Sequence, residues 1–330
     1  MVCFVHSYEL SGFESLAPIT QILSSAIAVK SFFVVSGFLI FMSYERSTSI
    51  SSYAGKRFRR VYPAYFTVIM LCGIFLVAAS SKSLSDYFSF IWLKYIVSNL
   101  VFLNFLQPTL PGVFEANKFA FINGPLWTLK IEVMFYILVP VFVFLVRKFK
   151  PFPVLAFFYF CSVVYAFVFQ RIAENTGSLI YLEIGRQLPG QLSYFMAGAF
   201  FYYFLPFFER CVGYFVGAAI LILVASAFYP LPVAEPFAIA ALVAFFGLFL
   251  YAGNFGKYGD FSYGIYILHY PIIQLILQGG ALRESPWGFL LAVVSITLIC
   301  AFAMWHLVEK RFLLRSSHYI STSTPSVSAG

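Results

Sequence analysis

Charged residues are scarce in this sequence. Only 10% of its 330 residues are Asp, Glu, Lys or Arg, whereas 61% are hydrophobic and 21% aromatic. A soluble globular protein of this size needs far more polar side chains to cover its surface, so the composition excludes one. Apolar runs of about 17–25 residues, enough to cross a hydrocarbon layer of roughly 30 Å, recur along the chain. We therefore predict an all-α integral membrane protein, a helical bundle and not a barrel.

Cysteine is also scarce, and the familiar nucleotide and hydrolase motifs are missing. The five cysteines are scattered singly through apolar runs without CxxC spacing, which predicts neither a disulfide framework nor a metal site. There is no GxGxxG, GxxxxGK[ST], HExxH or GxSxG, so nothing supports dinucleotide, nucleoside triphosphate, zinc-protease or serine-hydrolase chemistry. The net charge of +8 does not indicate nucleic acid, because cytoplasmic loops of membrane proteins carry excess Lys and Arg.

Nine apolar segments are long enough to be membrane spans, and a tenth is incomplete. We predict spans at 22–42, 61–80, 126–146, 151–170, 190–206, 212–229, 236–252, 262–280 and 287–307, with residues 1–8 as the far half of one more helix. The prediction is a polytopic bundle of about ten transmembrane helices, the first truncated at its N-terminus. Residues 1–315 form one membrane domain, and the Ser/Thr-rich segment 316–330 is a disordered tail.

The distribution of basic residues orients the bundle. Placing 43–60 in the cytoplasm puts thirteen Lys and Arg residues on that side and six on the other. This holds only if the apolar segment 90–106 does not cross the bilayer and is an external interfacial or re-entrant piece. The C-terminus is then cytoplasmic.

Glu132 lies about six residues inside a predicted span. An ionisable side chain at membrane depth costs on the order of 2.5–3.5 kcal/mol and usually faces a cavity or a partner. Tyr136 follows one turn later, so the two side chains share a face of the helix. Glu132 is either a functional carboxylate or a structural one that ties two helices together. Lys130 is near enough to the interface to extend toward water, and we give it no chemical role.

Two histidines lie at membrane depth. A neutral imidazole at His6 can accept a proton from a hydroxyl, because its ordinary pKa of about 6.5 suits a general base near neutrality. A packing role for a single helical histidine is the alternative. His269 is flanked by Tyr263, Tyr266 and Tyr270, and we interpret it as part of a hydrogen-bonded aromatic layer.

The cytoplasmic segment GKRFRRVYPAY places four basic residues before a helix that we predict to begin at about Val61. An ordinary positive-inside anchor explains them adequately. If the helix extends further back, Arg57 and Arg60 lie on one face and can grip the phosphates of an anionic cofactor. Charge alone leaves both interpretations open.

Five segments follow the order of a known family. They are SFFVVSGFLI (31–40), KRFRRVYPAY (56–65), LWTLKIEVMFYILVP (126–140), FSYGIYILHYPI (261–272) and VEKRF (308–312). Together they resemble the membrane-bound acyltransferase-3 family, the bacterial O-acyltransferases that include O-antigen and exopolysaccharide O-acetylases. Each motif alone is a weak signal, whereas five in order over almost the whole chain are specific.

The resemblance implies a ten-helix protein of the bacterial inner membrane. Such a protein passes an acyl group, usually acetyl, from cytoplasmic acyl-coenzyme A to a hydroxyl of a glycan or lipid-linked saccharide. It implies catalytic roles for His6 and Glu132, and coenzyme A binding by Arg57 and Arg60. Supporting positions fall on Trp127, Tyr136, His269 and Glu309. The expected partners are the lipid bilayer, acyl-CoA and the saccharide; no permanently bound cofactor, metal or nucleic acid is expected.

One departure from the family pattern concerns the N-terminus. The family typically carries an arginine eleven residues before the first-helix histidine, whereas only five residues precede His6. Either the true start lies upstream, which we favour, or this chain lacks that arginine and half a helix. If His6 and Glu132 both lie in the outer half of the bundle, they line one cavity, in which Glu132 orients the base or binds acceptor hydroxyls. His6 then either deprotonates the acceptor or first accepts the acyl group itself.

Two other classes of function stay open at this point. A polytopic transporter or flippase for an amphipathic or glycolipid substrate would use Glu132, His6 and His269 as a proton-coupled polar path. An inactive relative retained as a membrane scaffold is the second. Dependence on acyl-CoA separates an acyltransferase from a transporter, which has no use for a thioester.

Overall fold

The computed structural model describes residues 1–250 and 259–314. Helices make up most of the described residues, which contain no strand. The α-helices are α1 (Val2–Ser11), α2 (Pro18–Ile22), α3 (Ser25–Glu45), α4 (Ile50–Phe75), α5 (Leu84–Tyr87), α6 (Phe90–Leu100), α7 (Trp127–Phe149), α8 (Pro151–Thr176), α9 (Leu179–Gly185), α10 (Leu188–Tyr203), α11 (Leu205–Arg210), α12 (Val212–Ser226), α13 (Glu235–Leu248), α14 (Ser262–Gly279), α15 (Pro286–Met304) and α16 (Lys310–Phe312). Short 3₁₀ turns span Glu14–Leu16, Leu76–Ala79, Asn104–Leu106 and Gly124–Leu126, and a π turn spans Trp305–Glu309.

Long apolar helices confirm the all-α membrane architecture. Five helical stretches are long and apolar enough to cross a bilayer: Glu14–Glu45, Ile50–Ala79, Gly124–Phe149, Pro151–Thr176 and Pro286–Phe312. The protein is therefore a multi-pass membrane protein. The number of ten crossings stays a prediction, because α12 and α13, for example, have only 15 and 14 residues. The predicted tail, 316–330, lies outside the described residues.

Helix α6 is short, as expected for a segment that does not cross. Its 11 residues span about 16 Å, which is roughly half the thickness of the hydrocarbon core. The chain then turns at Phe102, a non-glycine residue with φ of 62°, and continues as the 3₁₀ turn Asn104–Leu106. The expected interfacial piece is thus a short helix followed by a turn.

The predicted start of the second long helix was wrong. Helix α4 begins at Ile50 and not near Val61, so the basic segment lies inside the helix. The prediction failed because hydropathy detects only the apolar part of a helix that continues past the bilayer. Ser49 is the local signal that was missed: its hydroxyl accepts from the Ser52 amide at 3.1 Å, as an N-cap does.

The structure divides into two compact units. The first consists of Met1–Ser25, Gly55–Lys130 and the described part of Asn254–Gly330, and the second of Ala26–Ala54 and Ile131–Gly253. In the first unit, α1 packs against α14 and α15. Leu16, Ile273, Phe289 and Val293 are at most 1% exposed at the centre of this cluster. The packing brings the N-terminal helix beside the C-terminal pair.

A long connection, residues 101–126, is fastened to α14 by amide side chains. Asn117 Nδ2 donates to the Gln274 carbonyl and side chain, while Gln274 Nε2 donates to the carbonyls of Phe119 and Phe121. Asn123 Nδ2 donates to the Ile267 carbonyl at 2.8 Å. That carbonyl lies four residues before a proline, Pro271, which has no N–H to offer it. The asparagine supplies the hydrogen bond that the helix cannot make.

In the second unit, α3 and α10 approach each other closely through small residues. A Cβ on Gly37 would overlap the carbonyl oxygen of Phe195, and a Cβ on Gly198 would overlap that of Val34. Small residues at such crossings allow helix backbones to pack tightly in membranes. Beside the crossing, the rings of Phe135 and Phe195 stack with centroids 3.9 Å apart. The SGF part of the motif at 31–40 thus has a packing role.

Candidate active site

His6 of α1 and His269 of α14 form a hydrogen-bonded pair in the first unit. His6 Nδ1 lies 2.8 Å from His269 Nε2. The ring planes are nearly parallel, at 7°, with centroids 5.1 Å apart. This separation exceeds the roughly 3.5–4.0 Å of face-to-face carbon contact, so the rings meet edge to edge through the two nitrogens. The packing of α1 on α14 is what brings together residues 263 positions apart.

The hydrogen bonds assign one proton arrangement to this pair. His269 Nδ1 lies 3.1 Å from the Ile265 carbonyl, which can only accept, so Nδ1 carries the proton in the neutral ring. His269 Nε2 is then an acceptor, and His6 Nδ1 must donate to it. The lone pair of neutral His6 is left on Nε2. His269 therefore holds His6 in the tautomer that presents Nε2 as a base.

The surroundings of the pair are part aromatic and part polar. His269 is fully buried, whereas His6 keeps 17% of its side chain exposed. Tyr270 meets His6 edge to face at 5.8 Å, and its phenol fills the space where Gly124 has no side chain. His6 Nε2 lies 3.8 Å from a carboxylate oxygen of Glu9. His6 Nε2 thus lies on the polar side of the pair.

Arg60 is the centre of a second cluster in the first unit. Its Nη1 donates to Glu309 Oε2 at 3.0 Å, and its Nη2 donates to Asp260 Oδ2 at 2.5 Å. The guanidinium also lies 5.6 Å from the centroid of the Tyr263 ring. Glu309 is 2% exposed and sits in the π turn that ends the α15 segment. Such turns are rare and are frequently found at functional sites.

Arg57 precedes Arg60 by one turn of α4. The extension of the helix back to Ile50 satisfies the condition under which both arginines lie near one face. The coenzyme A phosphate site predicted for them stays a prediction. Arg60 meets two carboxylates, so a phosphate at this place would share the guanidinium with them.

Glu132 and Tyr136 meet in the second unit. The Tyr136 hydroxyl donates to Glu132 Oε1 at 2.5 Å, as their spacing on one face of α7 predicts. The Tyr136 carbonyl in turn accepts from the Tyr53 hydroxyl at 3.1 Å. Pro140, four residues on, has no N–H for that carbonyl, so the tyrosine takes its place. Trp127, the remaining supporting residue, is half-buried at the start of α7.

Two features of these clusters were missed from sequence. Asp260 belongs to none of the sequence motifs, although it accepts a hydrogen bond from Arg60 Nη2. It also accepts from the Ser262 amide and hydroxyl. The pairing of His6 with His269 joins opposite ends of the chain, and no local pattern reports such a contact. The available signal was chemical, since two histidines in apolar helices each need a polar partner.

Comparison with known proteins decides the family. The family described as an acyltransferase domain matches residues 1–306. The chain belongs to this acyltransferase family. An O-acetyl transferase of Shigella phage Sf6 is 28% identical over 97% of this chain and 95% of its own length. Acyltransferase MdmB of Streptomyces mycarofaciens is 27% identical over 37% of this chain and 30% of its own length. No solved structure matches the acyltransferase significantly.

A third relative also matches part of the chain. Nodulation protein 10 of Rhizobium leguminosarum bv. viciae is 31% identical over 39% of this chain and 36% of its own length. The family and the names of its relatives identify the protein as a membrane acyltransferase that acts on hydroxyl groups. They favour this function over the transporter alternative, and the His6–His269 pair is a group suited to deprotonating a hydroxyl.

Proposed function

We propose that this acyltransferase moves an acetyl group from acetyl-coenzyme A in the cytoplasm to a hydroxyl of a glycan or lipid-linked saccharide. The observation that carries the proposal is the His6–His269 pair, which presents His6 Nε2 as a base within a membrane acyltransferase. The acetyl group is supported by the O-acetyl transferase relative, which aligns over nearly its whole length. The bacterial inner membrane, with the C-terminus in the cytoplasm, is the proposed location.

His6 Nε2 takes the proton of the acceptor hydroxyl. The hydroxyl oxygen then attacks the thioester carbonyl, so that a C–O bond forms and the C–S bond breaks. The coenzyme A thiolate leaves and takes the proton back from His6. His269 touches neither substrate; it is a positioning residue that fixes the tautomer and orientation of His6. Enclosure by protein would limit loss of the thioester to water.

Arg57 and Arg60 provide positive charge for the donor on the side that we propose to be cytoplasmic. Acyl-coenzyme A is anionic, with its thioester at the end of a flexible arm, so phosphates bound at α4 would leave the arm free to reach into the bundle. Glu309 and Asp260 hold the Arg60 guanidinium in place. For Glu132, we propose that its carboxylate either supplies negative charge to the catalytic base or binds acceptor hydroxyls.

Mass spectrometry of glycans tests the proposal. Surface and lipid-linked glycans would be compared from cells that express the wild type, His6→Ala or His318→Ala at equal membrane abundance. His318 lies beyond residue 306, where the family match ends, which makes it a matched control. An acetyl mass increment should appear with the wild type and the control and vanish with His6→Ala. An increment that persists in His6→Ala would remove His6 from the chemistry.

A further inference from the structure

A cavity in the second unit, lined by both polar and apolar side chains, has no part in the chemistry described above. Its volume is about 360 Å³, near the lower end of the roughly 300–1,000 Å³ typical of small-molecule sites. The neighbouring ends of α3, α8, α9, α10 and α13 line it. Its polar and aromatic side chains include Lys30, Gln170, Tyr181, Gln191, Tyr194 and Glu235. Helices that are otherwise apolar thus place hydrogen-bonding groups around one opening.

Lys30 and Glu235 form an ion pair in the cavity wall. Lys30 Nζ lies 2.5 Å from Glu235 Oε1, and the two side chains are 29% and 28% exposed. Lys30 is the only charged residue of α3 before Glu45 at its end. A charge within an apolar helix is costly and marks a functional site by default, whereas such a pair is weak as a stabilising device. We therefore interpret the Lys30–Glu235 ion pair as a ligand-binding feature rather than a stabilising one.

The pair keeps hydrogen-bonding capacity for a ligand. An ammonium has three donors, and among the described residues Lys30 donates only to Glu235. One face of that ammonium is covered by the Tyr194 ring, whose centroid is 5.6 Å away. Within the same described ranges, Glu235 Oε2 has no donor from the protein. Unused donors and an unused acceptor therefore belong to two neighbouring residues that line the cavity.

The charges that line the cavity cancel. Lys30 pairs with Glu235, while the lining residues Glu174 and Arg186 pair with Arg171 and Glu183 at 3.0 and 2.9 Å. An anion or a cation would meet a site without net charge. A neutral ligand rich in hydroxyls would instead use both members of the ion pair and the amides of Gln170 and Gln191, with its apolar face against Tyr181. A saccharide has this chemistry.

We propose that this cavity binds a saccharide. The inference rests on the proposed function for the identity of the ligand as a saccharide. In the proposed topology, the beginnings of α3, α10 and α13 and the end of α8 all lie on the external side. The cavity is therefore on the side of the membrane where surface saccharides are found.

Saturation-transfer NMR on the full chain in phosphatidylcholine nanodiscs tests the site. The probes are methyl α-glucoside, methyl α-galactoside and methyl β-N-acetylglucosaminide. At least one should receive saturation from the wild type. Lys30→Met and Glu235→Gln should each weaken its binding about tenfold, the effect of losing a hydrogen bond to a charged group. Gln170→Ala changes only an exposed amide and should weaken binding without affecting folding.

Glu45→Gln is the matched control. Glu45 ends the same helix as Lys30 and is also in an ion pair, 2.7 Å from Arg147, but does not line the cavity. Binding to this variant should equal the wild type. The proposal is overturned if no glycoside receives saturation, or if the cavity variants bind as the wild type does. Loss of the signal when phosphatidylethanolamine replaces phosphatidylcholine would assign the cavity to a lipid headgroup and also overturn it.

Binding of acetyl-coenzyme A to the wild type without any saccharide, measured by isothermal titration calorimetry, separates this inference from the proposed function. If the wild type binds the glycoside through Lys30 and Glu235 but does not bind acetyl-coenzyme A, the saccharide site stands and the donor assignment fails. If the wild type binds acetyl-coenzyme A but no glycoside, the donor assignment stands and the saccharide site fails.

Discussion

Arg60 on α4 and Glu309 in the π turn are joined by a hydrogen-bonded ion pair of 3.0 Å between residues 249 positions apart. Asp260 completes the cluster on the other guanidinium nitrogen. Hydrogen bonds from both terminal nitrogens fix the orientation of the Arg60 guanidinium, and Glu309 is nearly inaccessible. Arg60 therefore links α4 to the π turn within the first unit, and it is also part of the proposed donor site.

Substitution of Arg60 should mainly affect stability, whereas substitution of Arg57 should mainly affect the KM for the donor. Arg60→Gln leaves Glu309 and Asp260 without their cation and should cost about 3 kcal/mol of unfolding free energy, as breaking a buried ion pair does. Arg57→Gln should lower the unfolding temperature less than Arg60→Gln does, and it should raise the KM for acetyl-coenzyme A about tenfold through a lost phosphate contact. Thermal unfolding in detergent and steady-state kinetics provide the two measurements. A stable Arg60→Gln protein with only a raised KM would contradict this division.

The His6–His269 pair predicts graded losses at His269. His269→Phe removes the acceptor of His6 Nδ1 and should lower kcat about 100-fold, the size of a general-base contribution, with little change in KM. His269→Gln offers a carbonyl oxygen to the same donor and should retain much of the activity. Kinetics at equal amounts of folded protein make the comparison. Equal losses in both variants would show that His269 acts through packing and not through the hydrogen bond.

The apolar segments predicted the helices because burial in lipid demands about twenty apolar residues whatever the tertiary structure. The predicted start of α4 was wrong because residues 50–60 are mostly polar, so a hydropathy window does not include them in the span. Glu132 and Tyr136 were predicted to share a face because helical periodicity is local. The pairing of His6 with His269, and the place of Asp260 beside Arg60, depend on how distant helices pack. Spacing within one segment holds no information on that packing.

The connection at 101–126 should depend on Asn123 and Pro271 together. Asn123→Ala removes the donor to the Ile267 carbonyl, which Pro271 cannot bond, and should cost about 1–3 kcal/mol of unfolding free energy. Pro271→Ala restores a backbone N–H to that carbonyl, so Asn123→Ala should cost less in the Pro271→Ala background. A double-mutant cycle of unfolding temperatures measures the coupling. Equal costs in both backgrounds would mean that Asn123 stabilises the connection in another way.

The charge of Glu132 can be tested without disturbing its hydrogen bond. Glu132→Gln keeps an oxygen to accept from the Tyr136 hydroxyl, so the unfolding temperature should fall less than in Tyr136→Phe. Transfer should fall about 100-fold if the carboxylate charges the catalytic site or binds acceptor hydroxyls. Tyr136→Phe is the matched control, because it removes the hydrogen bond and keeps the charge; it should lower stability more than transfer. Acetyl transfer in membranes at equal abundance and thermal unfolding of purified protein separate the two effects. Unchanged transfer in Glu132→Gln would leave Glu132 with a structural role alone.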